Sequence, residues 1–291
     1  MTATILDGKA LAKTMREELS AAVEQFKADH GYVPKIAVVR AGEDEASVRY
    51  SGTIERAATK RGMDFGLHTL PGTASQEEVV ALVAQLNADK GVHGIMIQEP
   101  MPKGIDEAAV KAELSPDKDV DGVHAVNAGR LGQAAPIGRP AMVGPFFIPA
   151  TPAGGLEILK RYEVGLQGKH AVVVGRSNIV GKPMAMLLLR ENATVTMCHS
   201  RTTDLAAVCQ SGDVLCAAVG RAKMIQGDWI KPGAVVIDFG VNFVDGQMCG
   251  DVDFEEAVQI AGMITPVPGG TGPMTNVMLL RNVLEAAERQ A

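Results

Sequence analysis

Residues 172–183 read Val-Val-Val-Gly175-Arg176-Ser177-Asn-Ile-Val-Gly181-Lys-Pro. An apolar strand ends in one glycine, and a second glycine opens the next helix. Backbone N–H groups at such a helix start bind phosphate well. The spacing is GxxxxxG and not GxGxxG, so the dinucleotide fingerprint is matched only loosely, and a purely structural turn fits the same residues. The following strand ends Cys198-His199-Ser200-Arg201. An NAD site has an acid there for the ribose 2′-hydroxyl. Here the acid is missing, and Arg176 and Arg201 stand with Ser200 and Ser177. Guanidinium with a hydroxyl neighbour suits a 2′-phosphate through charge-assisted hydrogen bonds. The balance favours NADP over NAD, with the Gly175 turn, Arg176 and Arg201 as the residues that would meet it. The alternative is that both arginines are solvated surface charges.

A second polar set lies in the first half. Tyr50 follows the first strand on a helix, Gln98 ends another strand, and Asp121 sits in Lys-Asp-Val-Asp121-Gly122. Each has a bland reading: a solvated tyrosine, an end-capping glutamine, a turn aspartate. Spacing alone does not show that they line one cleft. Pro266-Val-Pro-Gly-Gly-Thr-Gly-Pro273 is a shaped loop that precedes the last helix.

The elements that position these residues alternate. Asp7 caps a helix with Leu11, Met15, Leu19, Val23 and Phe26 at helical spacing. Strands are predicted over 35–39, 63–68 and 93–98, and helices over 47–61, 75–87 and 106–113. The helix at Ser75 opens with a capping box to Glu78. Residues 130–152, rich in Gly, Ala and Pro, read as a linker plus a long loop. Strands then follow over 169–174, 193–198, 213–218, 234–239 and 263–264, with helices over 181–191 and 274–290. Such alternation implies an α/β protein with parallel sheets, and ligands beyond the carboxyl ends of the strands.

Composition narrows the classes. The 291 residues suggest about two domains. A hydrophobic content of 46% excludes a disordered chain, and a net charge of -6 with 4% aromatics argues against a nucleic-acid partner. The uncharged stretch Pro140–Leu156 carries four prolines and three glycines, which does not suit a membrane helix. Asp7 and Lys9 fall where a signal peptide needs an apolar core. The four cysteines show no CxxC spacing and the six histidines no HExxH, so buried free thiols, a cytoplasmic setting and no metal are expected.

Taken together, Ala46-Ser47-Val-Arg-Tyr50, Gly94-Ile-Met-Ile-Gln98, Pro116–Gly122, Thr151-Pro152, Gly175-Arg-Ser177, His199–Thr202, Pro266–Gly270 and Gly272-Pro-Met-Thr275 resemble the bifunctional methylenetetrahydrofolate dehydrogenase/methenyltetrahydrofolate cyclohydrolases of FolD type. The likeness runs over essentially the whole chain. It implies two α/β domains: a folate-binding catalytic domain over 1–148, completed by a helix over 273–291, and a Rossmann-like NADP domain over 149–272. It also implies a homodimer formed through the nucleotide domain. By position, Tyr50, Gln98 and Asp121 match catalytic and folate-site residues, with Asp121 bonded to the pterin and Tyr50 positioning the folate. Gly272, Pro273 and Thr275 match the loop beside the folate. Arg176, Ser177 and Ser200 match the cofactor site.

The chain departs from that pattern at a catalytic position. The family's lysine stands four residues after the tyrosine, where this chain has Ile54. Hydride transfer needs alignment of donor and acceptor, not a proton shuttle. Hydrolysis of the methenyl cation needs general acid/base help that isoleucine lacks. The expectation is an NADP-dependent methylenetetrahydrofolate dehydrogenase with weak or lost cyclohydrolase. The alternatives are the full bifunctional enzyme and a non-catalytic NADP- or folate-binding paralogue. Arg40 and Glu99 replace usually apolar residues at two strand ends, and an ion pair between them across the cleft floor is expected, with substrate contact by Arg40 as the rival and two solvated side chains as the bland alternative. The segment Gly132–Phe147 is longer than the family's connection, and Ala150 replaces a cysteine.

Overall fold

The structure, a computed structural model, describes residues 2–140 and 143–291. In chain order the elements are β1 (Thr4–Ile5), α1 (Gly8–His30), β2 (Lys35–Ala41), α2 (Glu45–Thr59), β3 (Asp64–Leu70), α3 (Gln76–Ala88), β4 (Gly94–Ile97), α4 (Glu107–Glu113), α5 (Ala125–Gln133) and α6 (Ala150–Arg161). There follow β5 (His170–Val174), α7 (Gly181–Arg190), β6 (Thr194–Cys198), α8 (Leu205–Gln210), β7 (Val214–Ala217), a single 3-10 turn at Gly227–Trp229, and β8 (Val235–Asp238). The chain ends with β9 (Asn242–Val244), β10 (Gln247–Cys249), α9 (Phe254–Ala257), β11 (Met263–Ile264) and α10 (Thr271–Gln290).

Two compact units result. One holds Thr14–Gly129, Pro145–Ile148 and Asn276–Ala291. Its sheet is parallel, in the order β3-β2-β4. Ala37, Val39, Ala41, Ile95 and Ile97 pack from one face onto Val79, Val83 and Leu86 of α3, Val110 of α4 and Leu114 just after it. The helix α2 touches β2 and β3 but contributes nothing to that cluster, so its buried stripe Ser47, Ser51, Ile54 and Ala58 covers the opposite face. Local chemistry sets the helix starts. Ser75 and Glu78 form the expected capping box, and Asp106 accepts from Ala108 N and Ala109 N. The last helix is bound here by Asn282, whose Nδ2 donates to Val120 O and Ile148 O.

The other unit holds the residues through Lys13, Arg130–Gly144 and Pro149–Thr275. Its parallel sheet runs β1-β11-β8-β7-β5-β6. After β6 the chain returns across β5 to place β7, so strand order reverses between β5 and β7, a switch point that favours ligand binding. Val172, Val174, Leu215, Ala217, Val236 and Ile264 form its buried middle.

Three expectations need correction. The first residues do not group with the folate domain predicted over 1–148, because Thr4 and Ile5 pair in parallel with Met263 and Ile264. Arg130–Gly144 leaves it too: Ile137 N donates to Arg190 O, and Arg190 Nε donates to Ala135 O. The stretch 130–152 is also not all loop, since α5 runs to Gln133 and α6 starts at Ala150. Ala141 and Met142, in the long connection, lie outside the described residues.

Candidate functional site

Tyr50, Ile54, Gln98 and Asp121 fall in one unit, at the carboxyl end of its sheet. Tyr50 and Ile54 lie one turn apart on α2, on the same helix face. Tyr50 is half-buried, and its phenol is pushed above the usual tyrosine range by burial first and by the negative charge of Asp121 second. The two residues therefore face each other electrostatically. Ile54 is only 1% exposed, so the helix turn after Tyr50 presents an apolar side chain and no titratable group.

Gln98 is buried directly after β4. Its N–H donates to Val39 O, and its Nε2 donates to Met96 Sδ. A parallel bridge between Ile95 and Asp119 continues the sheet edge beyond β4 and delivers Asp121 two residues on. Asp119 is a structural post: its carboxylate accepts from Val123 N, His124 N and Asn127 Nδ2. Asp121 has a different environment. Burial, then the charges of Asp119 and Glu99, push its carboxyl up to about 7. Near neutral pH it is thus balanced between donating a proton in a hydrogen bond and accepting one.

The Arg40–Glu99 pair is not formed. Glu99 is paired with Lys111 of α4. The reason is the alternation of the sheet: Val39 and Ala41 point toward α3 and α4, so Arg40 points the other way, under α2. Lys118, a further cation near these elements, donates to Leu86 O and Asp89 O.

The cofactor set of the sequence comes together in the other unit. Val174 pairs with Cys198, and Gly175 N donates to Cys198 O, so the Arg176-Ser177 turn and the Ser200-Arg201 turn lie beyond adjacent strand ends. Gly175 has φ of 121°, and a Cβ there would sit 2.0 Å from Ala218 O at the end of β7. Only glycine permits that approach. Gly181 is equally tight, with a Cβ placed 2.2 Å from Gly175 O. Ser177 Oγ accepts from Val180 N and Gly181 N and so caps the turn into α7. Arg176, Ser200 and Arg201 are exposed. The strand-end turn and its two open guanidinium groups fit a dinucleotide carrying an extra phosphate.

Gly272 and Pro273 fall in the first turn of α10, which begins three residues before the predicted start. They and Thr275 belong to the unit of the glycine turn. Thr275 Oγ1 lies 3.3 Å from Thr151 Oγ1.

Sequence reasoning missed Asp238 and Asp251. Asp251 is fully buried and accepts from Val219 N, Gly220 N, Arg221 N and Asn242 Nδ2. Asp238 accepts from Gly240 N, Asp251 N and Val252 N, and burial raises its carboxyl to about 6. Together they hold the loops that leave β7 and β8. An acid at the end of an apolar strand, as in Val-Val-Ile-Asp238, was the available signal. Among the described residues there is no group of three or more metal-ligating side chains, and no helix is long and apolar enough to cross a membrane.

The chain's relatives agree with this geometry. Residues 6–121 match the tetrahydrofolate dehydrogenase/cyclohydrolase catalytic domain, and residues 149–291 match the NAD(P)-binding domain of the same enzymes. The bifunctional protein FolD of Roseiflexus sp. (strain RS-1) is 54% identical over 100% of this chain and 98% of its own length. That of Herpetosiphon aurantiacus is 50% identical over 100% and 99%. Among solved structures, the bifunctional FolD of Campylobacter jejuni aligns with a TM-score of 0.94 at 39% identity, covering 99% of this chain and 100% of that one. The FolD of Trypanosoma brucei, complexed with NADP cofactor and inhibitor, aligns with a TM-score of 0.90 at 35% identity, over 99% and 98%. With both domains matched in order, the chain belongs to the tetrahydrofolate dehydrogenase/cyclohydrolase family.

Proposed function

We propose that this protein is an NADP-dependent 5,10-methylenetetrahydrofolate dehydrogenase whose cyclohydrolase activity is weak or lost. The observation that carries the second half is Ile54. It is buried, apolar, and one helical turn from Tyr50, where the family resemblance implies a lysine. NADP, when bound, supplies the hydride acceptor. The residues of this chain bind and orient. Tyr50, Gln98 and Asp121 take the folate. Asp121, near its protonation midpoint at neutral pH, can offer a proton in a hydrogen bond to a ring nitrogen or carbonyl of the pterin. Gly175, Arg176, Ser177, Ser200 and Arg201 take the nucleotide, the arginines meeting the 2′-phosphate. Oxidation of the methylene carbon requires no proton transfer from the protein, so it survives the isoleucine. Addition of water to the methenyl cation and ring opening require proton transfers worth roughly 10²- to 10⁴-fold, and these are what the isoleucine removes.

A homodimer is supported by the β9–β10 hairpin, where Val241 is 58% and Phe243 67% exposed, with Val244 and Met248 also open. Such an apolar patch favours a protein partner. The four cysteines are free, which suits a reducing cytoplasm. The test is cofactor reduction by purified protein given methylenetetrahydrofolate. Reduction of NADP in preference to NAD is expected. Silence with both cofactors, despite measurable binding, would support a non-catalytic paralogue.

A further inference from the structure

Arg40 lies 9% exposed on β2, and its Nε is buried with no hydrogen-bond partner. Among the described residues no carboxylate pairs with it, and Glu99, the acid at the neighbouring strand end, is held by Lys111. The buried, unpartnered Nε opposes folding, because that N–H loses its hydration and no protein acceptor replaces it. Such a cost persists where function requires it. Its setting is specific. Arg40 leaves the sheet on the face covered by α2, the helix of Tyr50 and Ile54. Gln98, directly after the neighbouring strand β4, sits at the same level and on the same face: its N–H donates to Val39 O, and its amide donates to Met96 Sδ, two residues back on that side.

We propose that Arg40 is a substrate-binding residue whose guanidinium donates to an oxygen acceptor of the bound reduced folate. The inference rests on the folate reading above. The ligand brings the acceptor that the protein does not provide. Arginine stays protonated at all relevant pH, so Arg40 binds and orients but does not shuttle protons, and it does not replace the chemistry missing at Ile54.

The test titrates tetrahydrofolate and, separately, NADP into wild type and Arg40→Met, and records thermal unfolding of each with and without tetrahydrofolate. A charged hydrogen bond lost on binding predicts at least about a tenfold rise in Kd for tetrahydrofolate. Kd for NADP is unchanged, and the ligand-free variant unfolds at the wild-type temperature or above it. A tetrahydrofolate Kd within about twofold of wild type overturns the proposal, and if the ligand-free variant also melts early, Arg40 is structural. Should Arg40→Met not fold, Arg40→Gln, neutral but still polar, is read in the same way. Wild type that fails to bind tetrahydrofolate sinks the folate reading itself, a result distinct from equal binding by both proteins.

Discussion

Asp121→Asn tests the electrostatics of the proposed folate site without changing its shape. The carboxyl is held near 7 against an ordinary value of 3.8. Below about pH 4 it is protonated in both the folded and the unfolded chain and contributes nothing to the pH dependence. Between pH 4 and 7 the unfolded chain ionises while the folded chain keeps its proton, so folding grows less favourable. Above pH 7 the penalty is complete and constant. About three pH units at 1.36 kcal/mol each set an upper bound of roughly 4 kcal/mol. Solvent reaches the half-buried side chain, and its screening reduces this to on the order of 2 kcal/mol. The amide keeps the size and removes the charge. The variant should therefore match wild type near pH 4, gain stability progressively above it, and melt several degrees higher at pH 8. Paired thermal or urea unfolding from pH 5 to 8 measures this. Catalysis should move the other way, with a higher KM for the folate, because a fixed amide cannot follow the pterin's hydrogen-bonding needs. A stability difference that is flat across pH, or an asparagine variant less stable at pH 8, would refute the assignment of a crowded, raised carboxyl.

Three further outcomes follow from the geometry. Arg176→Ala should raise KM for NADP by roughly 10- to 100-fold while leaving KM for NAD nearly unchanged, the size of one charge-assisted hydrogen bond; equal effects on both cofactors would argue against a 2′-phosphate role. Gly175→Ala forces a Cβ to 2.0 Å from Ala218 O at a φ of 121°. Loss of cofactor binding with a destabilisation of about 2 kcal/mol or more is expected from unfolding and NADP titration. Ile54→Lys should raise methenyltetrahydrofolate hydrolysis by about 10²-fold or more and lower the melting temperature, since a cation enters a site that is 1% exposed; a stable variant with unchanged hydrolysis would detach the lysine position from the chemistry.

Much of the fold is legible where local chemistry agrees with the final structure. The Ser75–Glu78 capping box and the Asp106 cap start helices where expected. The apolar runs at 35–39 and 170–174 are buried strands. Periodicity fails for β1, which is two residues long and is defined only by its pairing to β11. It fails again for α6, whose Ala-Thr-Pro-Ala-Gly-Gly start reads as loop. Tertiary packing decides there: Gly155 lies so close to the Phe239 ring that a Cβ would approach it to 2.4 Å, and one on Gly154 would come within 2.8 Å of Met274. At the site, Tyr50, Gln98 and Asp121 stand out only through the ordered family motifs that contain them, since each residue taken alone has a bland reading. The partner of Glu99 is not readable in this way, because an ion pair depends on which sheet face each residue leaves, and Lys111 comes from a helix on the other side from Arg40. The Asp238–Asp251 network is equally hidden, since its acceptor geometry is made by three loops distant in sequence.

The central claim is that Ile54 uncouples the two reactions of this family. Its most direct measurement is a product balance from a single reaction of purified protein with methylenetetrahydrofolate and NADP, following NADPH, methenyltetrahydrofolate and formyltetrahydrofolate together, with a protein-free control for spontaneous hydrolysis. Methenyltetrahydrofolate should accumulate in step with NADPH and convert onward only at the control rate. Formyltetrahydrofolate appearing as fast as NADPH, far above the control, would contradict it.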